Sequence, residues 1–231
     1  MRQRTLRVCR LGRLEYDAAY RIQKETELMV RSGAAPDTLL LVEHPHVLTL
    51  GRRASPGAVI ASVEELTARG ISVCETNRGG KATYHGLGQI VGYPIINLSP
   101  DREDVHRYVR DLEEVLMRAV ADFGIKSFPI KGLTGVHTER GKIAALGVHI
   151  ARWITTHGFA LNVNTDLSFF NLIIACEGEP VTSMKEILGR ELPLREVEDS
   201  IITHFAEVFA LTHEEAVDAR SISSEPCPMR T

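Results

Sequence analysis

The sequence predicts a single α/β (α+β) domain in which a mixed β-sheet is flanked by helices, and three observations carry that prediction. Strand-length apolar runs and helix-length amphipathic runs come in mixed order rather than in strict βαβ alternation, which argues against a Rossmann arrangement. No internal repeat and no linker divides the chain. Its 231 residues fit one domain of this class, long enough to bury a core without a disulfide or metal staple.

The elements follow in order. A first helix is expected over Tyr16–Arg31, with Ala18, Ile22 and Met29 on one face and Gly33 and Pro36 stopping it. Thr38-Leu39-Leu40-Leu41-Val42-Glu43 is a short apolar run of the kind found in a central strand, and Val47–Leu50 continues the sheet after the His44-Pro45-His46 turn. Ile71-Ser72-Val73-Cys74-Glu75 has strand character. The clearest helix carries Val105, Tyr108, Val109, Leu112, Leu116, Ala119, Val120 and Phe123 at helical spacing, and Gly124 ends it. Asp101, Glu103 and Asp104 stand at its start, where carboxylates favour the positive end of the helix dipole. Ile143–Ile150 and His157–Val163 are expected strands, paired through the turn between them. Val197, Ile201, Phe205 and Val208 mark a last helix. The pattern fades after His213, which sets a domain of residues 1–213 and a mobile tail of residues 214–231, polar and Pro-containing from Ser221 onward.

Composition narrows the function classes. A net charge of −3 gives no electrostatic reason for a nucleic-acid or anionic-membrane partner. No apolar run approaches the ~20 residues that span a bilayer. The basic start Met1-Arg2-Gln3-Arg4-Thr5 is followed by no signal-peptide apolar segment, so a cytoplasmic location is expected. Cys9, Cys74, Cys176 and Cys227 are scattered without a C-x-x-C pair, which argues against a disulfide framework or a zinc site. In its strand context Cys74 is expected to be a small buried hydrophobe. His44-Pro45-His46 alone is too few ligands for a metal, and no metal or cofactor is expected.

Four segments can carry chemistry. Arg78-Gly79-Gly80-Lys81-Ala82-Thr83-Tyr84-His85-Gly86-Leu87-Gly88-Gln89 is dense in glycine, so its backbone either approaches a ligand closely or merely forms a hairpin or irregular loop. It carries neither a Walker lysine pair nor the dinucleotide pattern G-x-G-x-x-G. Lys142 opens the apolar run Ile143-Ala144-Ala145-Leu146-Gly147, as a solvated strand end or as a partly buried base. In His157-Gly158-Phe159-Ala160-Leu161-Asn162, His157 is a satisfied structural histidine or a catalytic one. The run Asn171-Leu172-Ile173-Ile174-Ala175 delivers Cys176 to a turn at Gly178, where the thiol is an inert buried group or a nucleophile whose pKa a nearby cation lowers.

Taken together, these segments resemble the octanoyltransferases of lipoate biosynthesis, the lipoyl(octanoyl) transferases. Their glycine loop is similar to R-G-G-x-x-T-[YW]-H-G-P-G-Q, matched by Arg78–Gln89 except at Leu87. Lys142–Gly147 and His157–Asn162 resemble their lysine and H-G-x-A-L-N motifs, and Leu41–Pro45 and Val181-Thr182-Ser183 also look like family segments. Their cysteine motif, I-x-P-C-G, keeps its cysteine here, with Ala175 for proline and Glu177 for glycine. His137 stands where the family commonly has tryptophan. The likeness runs from about Leu6 to Leu211.

The resemblance implies the fold of the lipoate- and biotin-ligase catalytic domains, with an acyl-binding tunnel and a Lys142–Cys176 dyad. Octanoyl–acyl carrier protein would be the donor. The acceptors would be lysines on lipoyl domains of 2-oxoacid dehydrogenase complexes and on the glycine cleavage H protein. Arg78, Gly79, Gly80, Lys81, Ala82, Thr83, Tyr84 and His85 would line the acyl pocket, together with Ala145-Leu146-Gly147 and Gly158-Phe159-Ala160. Two alternatives share the fold. One is an ATP-dependent lipoate– or biotin–protein ligase, which has no need of Cys176; the other is a non-catalytic acyl-binding homologue.

Overall fold

The computed structural model describes residues 4–174 and 179–215. Strand β1 (Thr5–Arg13) leads into helix α1 (Tyr16–Ser32), then β2 (Asp37–Glu43) and β3 (Val47–Leu50). Helix α2 (Val63–Ala68), β4 (Ser72–Glu75), β5 (Ala82–His85) and β6 (Gln89–Ile95) follow. After α3 (Val105–Ala121) come β7 (Val136–Thr138), β8 (Gly141–Ala151) and β9 (Ile154–Asn162), a 3₁₀ turn at Leu167–Leu172, α4 (Met184–Leu188), α5 (Leu194–Phe209) and β10 (Thr212–Glu215).

The strands form a seven-stranded mixed sheet, ordered β10-β1-β2-β6-β9-β8-β7, and a three-stranded sheet, β4-β3-β5. The large sheet divides the core. Leu39 and Leu41 of β2 face one way, onto Leu112, Leu116 and Val120 of α3 and Val197, Ile201 and Phe205 of α5. Leu40 and Val42 face the other way, onto Ala19 and Val30 of α1. Burial on both faces is why β2 is an unbroken apolar run. A third cluster, with Leu48, Leu66, Ile71, Tyr84 and Leu172, lies under the small sheet.

Local chemistry sets the boundaries. Asp104 caps α3, its carboxylate accepting from the backbone N–H of His106 at 2.8 Å and Arg107 at 3.0 Å. Gly33 ends α1 in the left-handed region at φ 75° and donates to the Met29 and Val30 carbonyls. The expected hairpin is present, longer than its apolar pattern: β8 and β9 pair antiparallel from Ala144↔Leu161 to Ala151↔Ile154. Its turn, Arg152-Trp153, holds both residues at positive φ (52° and 63°), as type I′ turns require.

Several expectations need correction. Ile22 and Met29 of the expected α1 face do pack, half-buried, against the core, but the fully buried stripe is Tyr16, Ala19, Gln23, Thr26, Glu27 and Val30. That helix packs over a polar region, so the stripe follows polar partners as well as apolar ones. Cys74 is half-exposed on an edge strand rather than buried. Order also continues past residue 213, because Thr212–Glu215 pairs parallel with Thr5–Val8 of β1. The rest of the expected tail, 216–231, lies outside the described residues. Among the described residues, no helix is long and apolar enough to cross a membrane.

Candidate active site

A cavity of about 230 Å³ opens on the α1 face of the large sheet, lined from β5, β6, β8, β9, α1 and the loop before β5. That is below the roughly 300–1,000 Å³ of pockets for drug-sized ligands. Of the residues singled out in sequence, Arg78, Gly80, Lys81, Ala82, Thr83, His85, Lys142, Ala145, Leu146, Gly147, Gly158, Phe159 and Ala160 line it. Gly79 and Tyr84 do not. Tyr84 points into the third core cluster, stacked on Phe169 with ring centroids 5.0 Å apart, and its hydroxyl meets His46 Nδ1 at 2.7 Å. Cys176 lies outside the described residues; Glu179, three residues on, lines the cavity.

Arg78 fixes the glycine loop. Its guanidinium is buried and donates to the Thr49 carbonyl at 2.6 Å and to Thr49 Oγ1 at 2.9 and 3.2 Å. The loop is tied to β8 as well, by Gly79 N–H on the Val148 carbonyl at 2.9 Å. A Cβ at Gly147 would stand 2.8 Å from the Gly79 carbonyl oxygen, so this close approach needs glycine.

From Thr49 a directed chain of hydrogen bonds crosses the cavity floor. Thr49 Oγ1 accepts from Arg78, so its own proton turns to His85 Nε2, 3.3 Å away. His85 Nδ1 donates to Gln89 Oε1 at 2.8 Å, and Gln89 Nε2 donates to Asn162 Oδ1 at 2.9 Å. Asn162 Nδ2 reaches the Thr182 carbonyl at 3.0 Å, and Thr182 N–H reaches the Lys142 carbonyl at 3.0 Å. The polar ends of the glycine, lysine and H-G-x-A-L-N motifs are thereby parts of one network. This network fixes the neutral Nδ1–H tautomer of His85. Burial, with His44 and Arg78 nearby, pushes the His85 pKa down to about 3.

His157 is structural and cavity-lining at once. Its Nε2 donates to Asn77 Oδ1 at 2.7 Å, its backbone N–H donates to Gln23 Oε1 at 2.9 Å, and Nδ1 is buried without a partner. Burial and then Arg78 push its pKa down to about 3. His44 is engaged at both nitrogens, by the Leu14 carbonyl and the Tyr93 hydroxyl, each at 2.7 Å. Among the described residues no group of three or more His, Cys, Asp or Glu is placed to hold a metal ion.

Lys142, second residue of β8, keeps only 13% of its side chain exposed. Its backbone N–H is held by the Pro180 carbonyl at 2.8 Å, so segment 179–182 runs beside it as a short parallel bridge. A lysine so confined at the wall of a cavity can take or give a proton at a fixed point. Tyr16, Thr49, Gly135 and Glu179 escaped the sequence reading.

The lipoyl protein ligase A/B catalytic domain family has a model that matches residues 16–206. Octanoyltransferase of Solibacter usitatus is 48% identical over 200 residues, covering 86% of this chain and 90% of that protein. This chain belongs to the lipoyl protein ligase A/B family. The octanoyltransferase of Myxococcus xanthus is 48% identical across 98% of this chain, which spans 63% of that longer protein. Octanoyltransferase of Chloroflexus aggregans is 46% identical, covering 90% of this chain and 96% of that one. Among solved structures, a bi-partite lipoate protein ligase from Thermoplasma acidophilum superposes with a TM-score of 0.74 at 18% identity, covering 94% of this chain and 87% of that one. Lipoate-protein ligase A bound with ATP superposes at 0.72, also at 18% identity, covering 94% and 89%. These two likenesses establish the mixed-sheet fold expected from the sequence.

Proposed function

We propose that this chain is an octanoyltransferase that moves an octanoyl group from octanoyl–acyl carrier protein to a lysine of lipoyl domains, including those of 2-oxoacid dehydrogenase complexes and the glycine cleavage H protein. The observation that carries this reading is the convergence of the lysine, glycine-loop and H-G-x-A-L-N motifs on one cavity, with Lys142 in its wall. The relatives at 46–48% identity are named octanoyltransferases, which supports the octanoyl-transfer part of this reading.

In this reading Cys176 is the nucleophile and Lys142 the base. The neutral Lys142 amine takes the thiol proton as sulfur attacks the donor thioester, the tetrahedral adduct collapses with Lys142 returning that proton to the departing carrier sulfur, and an octanoyl thioester is left on Cys176. One thioester replaces another, so this step is close to neutral. The acceptor amine then attacks, Lys142 assists its loss of a proton, and the Cys176 thiol is regenerated as the amide forms. Aminolysis of a thioester is downhill, so ATP is not needed. A covalent intermediate also spares the enzyme from holding both protein partners at once. Backbone N–H groups beside the cavity are candidates to stabilise the tetrahedral oxyanion. The site needs no cofactor, and the reaction belongs to the cytoplasm, where both carrier and lipoyl domains would meet it.

The test is intact-mass measurement after mixing the protein with octanoyl–acyl carrier protein, without ATP, beside a Cys176→Ser variant. An octanoyl-sized gain that hydroxylamine removes, seen only with Cys176 present, is expected. Transfer that requires ATP and free octanoate would replace this reading by a ligase, and octanoate binding without any acyl-enzyme would replace it by a non-catalytic homologue.

A further inference from the structure

We propose that Glu179 is the positioning residue of Lys142: its carboxylate holds the ammonium in place and stabilises the protonated form that proton transfer creates. This rests on Lys142 being the base of the transfer reaction proposed above.

Geometry brings the two together from distant parts of the chain. The bridge between Lys142 and Val181 sets segment 179–182 against the start of β8. Glu179 Oε2 then lies 3.9 Å from Lys142 Nζ and 3.4 Å from His137 Nε2. One carboxylate oxygen thus stands between two nitrogens, and Glu179 itself lines the cavity. The His137 side chain is nearly buried and its backbone is paired with Phe128 in both directions, so it is a fixed donor that keeps the carboxylate from swinging into solvent.

Glu113, behind Gly135, is committed elsewhere. Glu113 of α3 is buried, with Oε2 on Arg110 at 2.6 Å and Oε1 on the Gly135 N–H at 2.9 Å. Around Lys142 stand Glu179, with His137 of β7 on the same carboxylate oxygen, Glu113 behind the adjoining Gly135, and the cationic side chains of Arg53, Arg78 and Lys81 that line the same cavity. At 3.9 Å the Lys142–Glu179 pair is an ion pair short of a hydrogen bond. Such contacts commonly tighten only when the reacting state forms.

The chemistry gives the contact a purpose. When the neutral Lys142 amine takes a proton, from the nucleophile or from the incoming amine, a positive charge forms on a side chain that is only 13% exposed. An adjacent carboxylate lowers the cost of that charge and aims Nζ, without itself accepting the proton. This is the part the third residue plays whenever a base is oriented by a neighbouring acid.

The experiment compares Glu179→Gln, Glu179→Asp, Lys142→Ala and the Glu179→Gln/Lys142→Ala double variant for octanoyl transfer, with thermal melts alongside. The expected result is a kcat about tenfold or more lower in E179Q with KM for the donor within about twofold, partial recovery in E179D, and no further loss when E179Q is added to K142A. Non-additivity of that kind separates action through Lys142 from a general structural effect. An E179Q variant with parental kcat, a defect confined to KM, or a full additional loss in the K142A background would each overturn the inference while leaving Lys142 in its role. Normal turnover by K142A would instead overturn the underlying reading.

Discussion

Gly135 leaves the space that the Lys142 side chain fills: a Cβ built on Gly135 would stand 2.4 Å from Lys142 Cε and 3.1 Å from Nζ. Its φ of 136° is also one that side-chain-bearing residues rarely adopt. The path of the lysine is therefore set by an absent methyl on the segment leading into the neighbouring strand.

Gly135→Ala is expected to lower octanoyl transfer at least tenfold while leaving a folded protein of reduced stability. Two costs combine in it, backbone strain at positive φ and displacement of the lysine. Steady-state kinetics and a thermal melt check this together. Unimpaired kcat in a folded G135A protein would show that the position of Lys142 is not critical to the reaction.

The site was only partly legible in the sequence, and the reason is visible in this same corner. Lys142, the glycine loop and His157–Asn162 stood out because each interrupts an apolar pattern within a few residues. Glu179 carried no such mark, since its contact with Lys142 arises from a bridge between segments almost forty positions apart. Thr49 looked like one more residue of a strand until Arg78 and His85 were found on its hydroxyl. Tyr84 shows the opposite failure. It sits inside the motif, yet strand alternation turns its ring away from the cavity, where His85, one residue on, lines it. The fold was legible at β2 and α3, whose burial is strong, and least so at β10, whose residues are all exposed.

Stability is expected to fall with pH below neutrality. The pKa values of His44, His85 and His157 are pushed down, chiefly by burial, from 6.5 to about 4, 3 and 3. A depressed pKa means that the unfolded chain binds protons the folded one refuses. The stabilisation is then complete above pH 6.5 and is lost as pH drops toward those folded values. Three such groups give at most about 4 kcal/mol per pH unit, at about 1.4 kcal/mol per proton. Asp37, Asp111 and Glu198, raised by burial, oppose this at the acidic end. Urea midpoints measured from pH 8 to 4 should therefore decline below about pH 6.5, and less steeply in a His44→Gln variant. A flat profile between pH 7 and 5 would contradict the buried neutral state of these rings.

Arg152→Asn is expected to stabilise the protein. Arg152 is exposed and holds φ 52° in the two-residue turn of the β8–β9 hairpin, a conformation that costs most residues roughly 1–2 kcal/mol. Asparagine enters it more easily and favours type I′ turns, so a gain of about 0.5–1 kcal/mol in chemical denaturation is anticipated. Unchanged or lower stability would mean that the arginine makes compensating contacts through its aliphatic stem.

Acyl length should respond to the wall formed by Lys142's own strand and the strand paired with it. Ala145 of β8 and Ala160 of β9 are register partners and both line the cavity, so two of the smallest side chains stand side by side where a chain would pass. Enlarging one narrows the channel without touching Lys142 or the hydrogen-bonded floor. Ala145→Leu is therefore expected to favour shorter acyl groups. A pocket discriminates by about 1–3 kcal/mol per methylene, so the ratio of kcat/KM for octanoyl over butanoyl donors should fall at least tenfold. The butanoyl donor serves as the internal control for folding and for the chemistry. An equal loss with both donors would place Ala145 outside the path of the distal carbons, and an unchanged ratio would mean that the acyl chain runs along another wall of the cavity.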